Sequence, residues 1–194
     1  MIHEYKENGI ILKADKINLS FGDKKVLRDV SFEVHDVIRE NLKQGQVCSL
    51  VGRSGIGKTQ LFKILAGLNF PTSGEVKIGS NQVPVTPGSM GVVAQNYNLF
   101  NHRTILKNLK IALDNSCEVM TEKEKTNNIN RFAEEFHLTE HLNKFPLQLS
   151  GGQRQRVSIL QQILTGNKFI LMDEPYSGID NIMLAKVMAL ITKV

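Results

Sequence analysis

Apolar and polar residues alternate along the chain from Ile10 to Phe21, and strand-like character resumes from Val26 to Val34. A period of two residues is typical of a β-strand with one buried face, and the break at Gly22-Asp23-Lys24-Lys25 is typical of a turn. This pattern predicts an antiparallel hairpin. The following segment, His35–Gln44, is polar with a few apolar residues at roughly helical spacing. It is predicted to be either a short helix or an elaborated loop.

A short, largely apolar run, Val47–Val51, predicts a buried strand that leads into a glycine-rich segment. Helical spacing then returns, at Leu61, Ile64, Leu65 and Leu68. A Pro-Thr-Ser-Gly turn at residues 71–74 precedes two short predicted strands, Glu75–Ile78 and Gly91–Ala94.

The second half of the chain is predominantly helical in pattern. Helical spacing begins at Ile105, and Thr121-Glu122-Lys123-Glu124 predicts a capping box ahead of a helix whose apolar stripe is Ile129, Phe132, Ala133 and Phe136. A helix from Ser150 with an apolar stripe at Val157, Leu160 and Leu164, a strand at Phe169–Met172 and a helix at Asn181–Lys193 follow. Strands that alternate with helices favour an α/β fold with a mostly parallel sheet, joined by an N-terminal antiparallel strand group.

Length and composition bound the class of protein. The 194 residues, 41% of them apolar, fit one domain with a sizeable core. No apolar stretch approaches the roughly 20 residues of a membrane span, and the start lacks the plan of a signal peptide, so we expect a cytoplasmic protein, at most peripheral to a membrane. Cys48 and Cys117 show no metal or disulfide spacing. The net charge of +5 is spread along the chain, and no nucleic-acid partner is expected.

The segment Gly52–Thr59 fits the phosphate-loop pattern G-x-x-x-x-G-K-[ST]. Glycines leave consecutive backbone N–H groups unhindered, so that these groups can surround a phosphate at the start of the next helix. Lys58 adds a positive charge, and the hydroxyl of Thr59 suits Mg²⁺, which prefers oxygen ligands. The pattern therefore predicts a nucleoside triphosphate site, against the simpler alternative of an ordinary glycine-rich turn.

A second motif, Leu149-Ser150-Gly151-Gly152-Gln153, separates the chain from other phosphate-loop proteins. Ser150 can cap the helix while Gln153 reaches back, which leaves backbone N–H groups open at the positive end of the helix dipole. A further strand ends in two carboxylates, Asp173 and Glu174, which suits a metal ligand and a general base. A capped surface helix and a polar strand end are the simpler alternatives for the two features.

In order and spacing these motifs resemble the nucleotide-binding domains of ABC-type ATPases, from about Ile10 to about Asp180. The resemblance implies a P-loop NTPase core at about 10–100 and 150–194, an inserted helical subdomain at about 101–149, and a single domain over residues 1–194. It also implies that Gln95 senses Mg²⁺ and the attacking water, that Asn96–Phe100 faces a membrane subunit, and that Asp180 links the two sites of a dimer.

The site residues that the resemblance implies fall into groups by role. ATP would be bound by Phe21, Gly52, Arg53, Ser54, Gly55, Ile56, Gly57, Lys58, Thr59 and Gln60. The metal Mg²⁺ would be held by Thr59, Gln95 and Asp173, Glu174 would be the catalytic base, and Ser150, Gly151, Gly152 and Gln153 would contact the ATP of a facing chain. For Phe21, stacking on adenine and a place in the core are both open.

The chain also departs from the family pattern. The family expects a histidine on a later strand, whereas the five histidines here all precede Glu174, and the C-terminal strand is absent. A truncated chain and a naturally short one both explain this. Gln60 replaces the usual hydroxyl residue, which removes one possible α-phosphate contact.

The leading hypothesis is an ATPase subunit of an ABC transporter, paired with a second ABC subunit, either a copy of itself or a related chain. The pair would lie on the inner face of the cell membrane, against a separate permease. The alternative is an ATP-binding regulatory or truncated protein that hydrolyses poorly. A soluble ABC ATPase of translation or DNA repair is disfavoured, because such proteins carry paired domains or a long coiled-coil insertion. The segment Asn96–His102 most resembles importers of small polar solutes such as amino acids.

Overall fold

The computed structural model describes residues 5–39, 46–116 and 118–173. These residues belong to two compact units that divide between Ser89 and Met90. The predicted helix Asn181–Lys193 and the site residues Glu174 and Asp180 lie outside the described residues. No helix in the described ranges combines the length and the apolar character that a membrane crossing requires.

The first unit is built on a long antiparallel hairpin. It contains β1 (Tyr5–Phe21), β2 (Lys24–Arg39), α1 (Lys58–Leu65), β3 (Ser73–Ile78) and β4 (Val83–Pro84), and the four strands form an antiparallel sheet in the order β2-β1-β3-β4. The predicted hairpin is confirmed. Its buried side chains include Ala14, Ile17 and Leu19 of β1. Ile17 and Leu19 keep the alternating spacing, whereas a register irregularity separates Ala14 from Ile17.

The hairpin extends further than the sequence pattern indicated. Residues 35–39, predicted as a helix or a loop, continue β2, while residues 40–45 lie outside the described part. The prediction was wrong for residues 35–39 because β1 begins at Tyr5, which pairs with Arg39, so that the polar segment has a strand partner. Helical spacing of a few apolar residues could not reveal that partner.

The predicted buried strand Val47–Val51 is not formed. Residues 46–53 have no regular secondary structure, and Val51 is 90% exposed. An apolar run becomes a buried strand only when neighbouring strands pair with its backbone. The sheet of its own unit is entirely antiparallel and pairs only β1 to β4 among the described residues. Cys48 in this run is an exposed free thiol.

In its described residues the second unit contains three α-helices and a parallel strand pair. It contains β5 (Gly91–Val93), α2 (Ile105–Asp114), α3 (Glu122–Glu135), α4 (Gly151–Leu164) and β6 (Ile170–Met172), with short 3-10 helices at Thr139–His141 and Pro146–Gln148. β5 and β6 pair in parallel, with Val93 opposite Met172. The strands predicted at Gly91–Ala94 and Phe169–Met172 and the helices predicted from Ile105, Thr121 and Ser150 are confirmed, including the capping box at Thr121.

The core of the second unit is one continuous apolar cluster. Val157 and Leu160 of α4 and Ile129 and Phe136 of the α3 segment are fully buried in it, as their helical spacing predicted. In the first unit Leu61, Ile64 and Leu65 of α1 are buried too, but Leu68 is 59% exposed. Leu68 leaves the stripe because α1 ends at Leu65 and the chain turns at Gly67, whose φ is 70°.

Candidate nucleotide-binding site

The phosphate loop enters α1 through glycines in the left-handed region. Gly55 has φ 82° and Gly57 has φ 102°, conformations that residues with a Cβ rarely adopt. A Cβ at Gly57 would also lie 2.9 Å from Cδ2 of Leu27 and 3.2 Å from the carbonyl oxygen of Val26. Glycine is therefore required at position 57 both by its backbone conformation and by close approach of the hairpin.

The N-terminus of α1 is open toward the loop. Gly57 is its N-cap, no side chain caps it, and no acidic residue lies in its first turn. The amides of Gln60 and Leu61 donate to the carbonyl of Gly57, and the amides of Lys58 and Thr59 precede these bonds at the end of the helix. Backbone donors and the positive end of the helix dipole coincide there, which is the arrangement that binds phosphate.

Lys58 lies across the loop that precedes it. Its ammonium group donates to the carbonyl oxygens of Gly52 at 2.7 Å and Arg53 at 2.8 Å. An ammonium has three donors, so one remains for a phosphate oxygen. The lysine therefore holds the loop in shape and keeps its charge beside the open helix end.

The donor set of this loop fits a triphosphate, and the oxygen donors predicted for Mg²⁺ fit a small hard cation. The loop residues 52–56 and Thr59 are exposed, so their polar groups can reach a ligand. Thr59 lies in the first unit, whereas Gln95 and Asp173 lie in the second. No group of three or more His, Cys, Asp or Glu side chains converges among the described residues, and a Mg²⁺ that binds phosphate oxygens needs only one or two protein ligands.

Phe21 ends β1 at the hairpin turn and is 55% exposed. The alternative that it is a core aromatic is wrong, because a core side chain would be nearly fully buried. An exposed aromatic face in the same unit as the phosphate loop leaves adenine stacking as the prediction for this residue.

The ends of β5 and β6 bring two predicted site residues close in the fold. Val93 pairs with Met172, and the amide of Asp173 donates to the carbonyl of Val93 at 3.0 Å. Asp173 is half-buried, and Gln95 follows the end of β5 by two residues. The carboxyl ends of parallel strands meet at one edge of a sheet, so both side chains emerge at that edge. Their roles as metal ligands, like those of Glu174 and Asp180, stay predictions.

The signature segment forms the predicted capping box at the start of α4. Ser150 is the N-cap, its hydroxyl accepts from the amide of Gln153 at 3.3 Å, and its own amide donates to Oε1 of Gln153 at 2.8 Å. Ser150 is exposed, the space around the Cα of Gly151 is open, and the first turn carries no acidic residue. This helix end can therefore receive an anion, as the motif predicts.

Two side chains that no motif indicated organise the surroundings of this helix. His141 places its Nε2 atom 3.0 Å from Nε2 of Gln153. Asn108 of α2 is fully buried, and its side chain accepts from the amide of Phe100 at 2.8 Å. An isolated histidine and a polar residue within an apolar helix face carry no pattern of their own. In the sequence, the polar residue Asn108 within the apolar stripe of α2 was the one feature that could have indicated such a role.

The amide group of Asn108 also clamps the loop between β5 and α2. Its Nδ2 atom faces the carbonyl oxygens of Phe100 at 3.2 Å, Arg103 at 3.1 Å and Thr104 at 3.0 Å. The Arg103 guanidinium lies over the Phe100 ring at 5.9 Å, with Phe100 half-exposed. The segment predicted to face a permease therefore presents an aromatic ring from a fixed loop.

The chain is similar to known proteins over most of its length. A family model described as "ABC transporter" matches residues 35–177. The spermidine/putrescine import ATP-binding protein PotA of Thermotoga maritima is 33% identical over 163 residues, which cover 82% of this chain and 42% of that protein. The Fe(3+) ions import ATP-binding protein FbpC of Haemophilus influenzae is 33% identical over 180 residues, which cover 89% of this chain and 48% of the relative. The chain thus spans less than half the length of these two curated relatives.

A solved structure described as "Dimeric Structure of MJ0796, a Bacterial ABC Transporter Cassette" superposes with a TM-score of 0.76. It is 26% identical in sequence, and the match covers 93% of this chain and 81% of that one. The predicted α/β P-loop fold class, with its antiparallel N-terminal sheet and helical segment, is confirmed. Since the family model matches residues 35–177, which are most of the sequence, the chain belongs to the ABC transporter family.

Proposed function

We propose that this chain is an ATP-binding and ATP-hydrolysing subunit of an ABC importer. The observation that carries the proposal is the start of α1. Left-handed glycines, an uncapped helix end and a lysine with one donor to spare form a phosphate cradle there. The curated relatives named above are import ATP-binding proteins, which supports the same activity for this chain.

The proposed chemistry follows from the residue types. Amides of the phosphate loop and the ammonium of Lys58 bind the β- and γ-phosphates, and the exposed ring of Phe21 stacks on adenine. Thr59, Gln95 and Asp173 would hold Mg²⁺, which would supply positive charge beside the phosphates. Glu174 accepts a proton from the attacking water.

The open end of α4 assigns a second role to the signature segment. A single triphosphate does not need two phosphate-binding helix ends, so the Ser150–Gln153 segment serves the ATP of a facing chain in a head-to-tail pair. The hydroxyl of Ser150 and the amide of Gly152 would stabilise charge on the departing γ-phosphate. Asp180 would connect the two sites of the pair.

The membrane partner of the pair is a separate permease. Docking through the loop that carries Phe100 places the chain on the cytoplasmic face of the membrane. The two relatives are named for a polyamine and for an iron ion, which are chemically unlike solutes. The permease, rather than the ATPase subunit, would then select the solute.

Nucleotide binding and phosphate release from Mg·ATP test the proposal together. Lys58→Ala should abolish binding, whereas Lys63→Ala should leave it unchanged, because Lys63 is an exposed lysine in the last turn of the same helix. Turnover per chain that rises with protein concentration would support a hydrolase that acts as a dimer. Equal ATP affinity of the two variants would refute the phosphate site.

Glu174→Gln tests the catalytic step separately. The variant should bind ATP, lose hydrolysis and accumulate as an ATP-bound dimer in size-exclusion chromatography. Hydrolysis that survives in Glu174→Gln would show that another group is the base. ATP binding by the unaltered chain without any turnover would favour the regulatory alternative.

A further inference from the structure

The orientation of the Gln153 side chain is fixed by Ser150. The backbone amide of Ser150 is a donor, so the atom of Gln153 that faces it at 2.8 Å must be the carbonyl oxygen Oε1. The amide nitrogen Nε2 of Gln153 consequently points toward His141. A flipped amide would set two donors against each other at Ser150.

This orientation determines the state of His141. Its Nε2 atom lies 3.0 Å from the amide nitrogen of Gln153, which can only donate. The imidazole Nε2 must therefore accept, so the ring must be neutral with its proton on Nδ1. A protonated ring has no acceptor and would face Gln153 with a second donor.

A second donor, the ammonium of Lys144, lies near the other ring nitrogen of His141. Nδ1 of His141 lies 3.1 Å from the ammonium of Lys144, which also can only donate. A neutral imidazole accepts at one nitrogen only, so just one of the two contacts is a hydrogen bond at a time. Lys144 is exposed and can turn its ammonium to water, whereas Gln153 is held by Ser150. Acceptance from Gln153 is the more favourable arrangement.

Charges around the ring disfavour a positive His141. Burial lowers the pKa of His141, and the cations Lys144 and Arg156 lower it further, with Glu140 opposing them. The backbone of the turn is fixed as well, since the carbonyls of Leu142 and Lys144 accept from the amides of Leu106 and Ile105 of α2. The imidazole is therefore presented to α4 from a rigid turn.

We propose that neutral His141 is a positioning residue that holds Gln153 in the capping box, and that protonation of His141 releases this hold and weakens the signature end of α4. The expected effect on turnover rests on the proposed function. The expected tautomer of His141 and its hold on Gln153 depend only on the contact between these two residues. As a consequence, ATP hydrolysis by the dimer becomes sensitive to mild acid.

The tautomer of His141 can be measured directly in the nucleotide-free chain. Nitrogen chemical shifts from a histidine-labelled sample should show an unprotonated Nε2 and a protonated Nδ1 at neutral pH. His141→Phe, which keeps a ring but no acceptor, should accelerate hydrogen exchange at the side-chain amide of Gln153 and at its backbone amide. A proton on Nε2 at neutral pH, or unchanged exchange in His141→Phe, would overturn the proposal whatever the chain does with ATP.

Turnover then tests the functional consequence. His141→Gln can accept through its carbonyl oxygen and does not titrate, so its hydrolysis at saturating ATP should stay level from neutral to mildly acid pH, while that of the unaltered chain falls. At neutral pH His141→Phe should be about fivefold slower in kcat than the unaltered chain, the effect of one lost hydrogen bond, with KM unchanged. The difference should shrink in mild acid, where the unaltered chain loses the same bond. His137→Asn is the matched control, because His137 is exposed in the same region and its φ of 52° suits asparagine.

The outcomes separate the two proposals. A chain without turnover at any pH, but with the expected tautomer, would contradict the proposed hydrolase and leave the positioning role intact. Hydrolysis that falls with acid equally in the unaltered chain and in His141→Gln would refute the functional role of His141 while the hydrolase stands.

Discussion

Replacement of Asn108 by alanine should destabilise the second unit by far more than a helical asparagine usually would. The Asn108 side chain is fully buried, and its Oδ1 atom accepts from the amide of Phe100. Its two amide protons face three carbonyl oxygens, of which those of Phe100 and Arg103 belong to exposed residues. Alanine would remove all of these bonds and leave the backbone groups of the loop to find other partners.

The magnitude follows from the number of bonds. The single bond that Oδ1 accepts and the two amide protons give at most three hydrogen bonds, each with a net value of about 1 kcal/mol. Water can reach part of the released loop, and alanine favours a helix by about 0.6 kcal/mol over asparagine. The expected loss is therefore about 2 kcal/mol in the free energy of unfolding, which corresponds to about 4–8 °C in Tm for a chain of this size.

Asn130→Ala is the matched control, since Asn130 lies exposed inside α3 and gains the same helix propensity. Urea unfolding followed by circular dichroism would give both free energies. Hydrogen exchange at the Phe100 amide, which loses its acceptor only in Asn108→Ala, locates the effect in the loop. Equal stability of the two variants, with unchanged exchange at Phe100, would show that the buried amide does not clamp this loop.

Three further predictions concern backbone strain, capping and pH. Gly57→Ala should weaken ATP binding at least tenfold. It should also lower the free energy of unfolding by more than the roughly 1–2 kcal/mol of a left-handed alanine, because its Cβ meets Leu27. Gly79→Ala, which is also left-handed but lies in open space, should lower the free energy of unfolding without changing ATP affinity. Thr121→Ala should lower the free energy of unfolding by about 1 kcal/mol in urea titration, and unchanged stability would mean that the capping box of α3 contributes nothing. Burial lowers the pKa of His141, so the unfolded chain binds the proton more readily than the folded chain. The free energy of unfolding should therefore decline as pH falls below about 6.5. This decline should be smaller in His141→Gln.

Local patterns predicted most of the secondary structure because their causes are local. The hairpin alternation of Ile10–Phe21, the capping boxes at Thr121 and Ser150, and the glycines of the phosphate loop each specify backbone geometry within a few residues. A capping box forms between a side-chain oxygen and the amide three residues later, so its formation does not depend on distant parts of the chain. These features were therefore readable in the sequence and are formed in the structure.

Features that depend on distant partners could not be read in the same way. The run Val47–Val51 has the composition of a buried strand, but strand formation also requires a pairing partner, which its unit does not offer among the described residues. Asn108 looks like an interruption of an apolar stripe, and its role appears only when the loop at Phe100 folds over it. His141 similarly acquires its role from Gln153, which lies on a different helix.

The signature helix α4 connects the functional parts of the second unit through contacts along its length. Gln161 donates to the carbonyl of Asn108, which clamps the predicted docking loop, and Gln162 accepts from the amide of Val92 in β5. β5 in turn pairs with β6, the strand that ends at Asp173. Leu160 of α4 is fully buried in the same core, so α4 cannot slide against α2 without opening close-packed contacts. A force applied to the loop at Phe100 should therefore move the described part of this unit as one body, so that the signature end of α4 and the Asp173 strand change position together rather than one after the other.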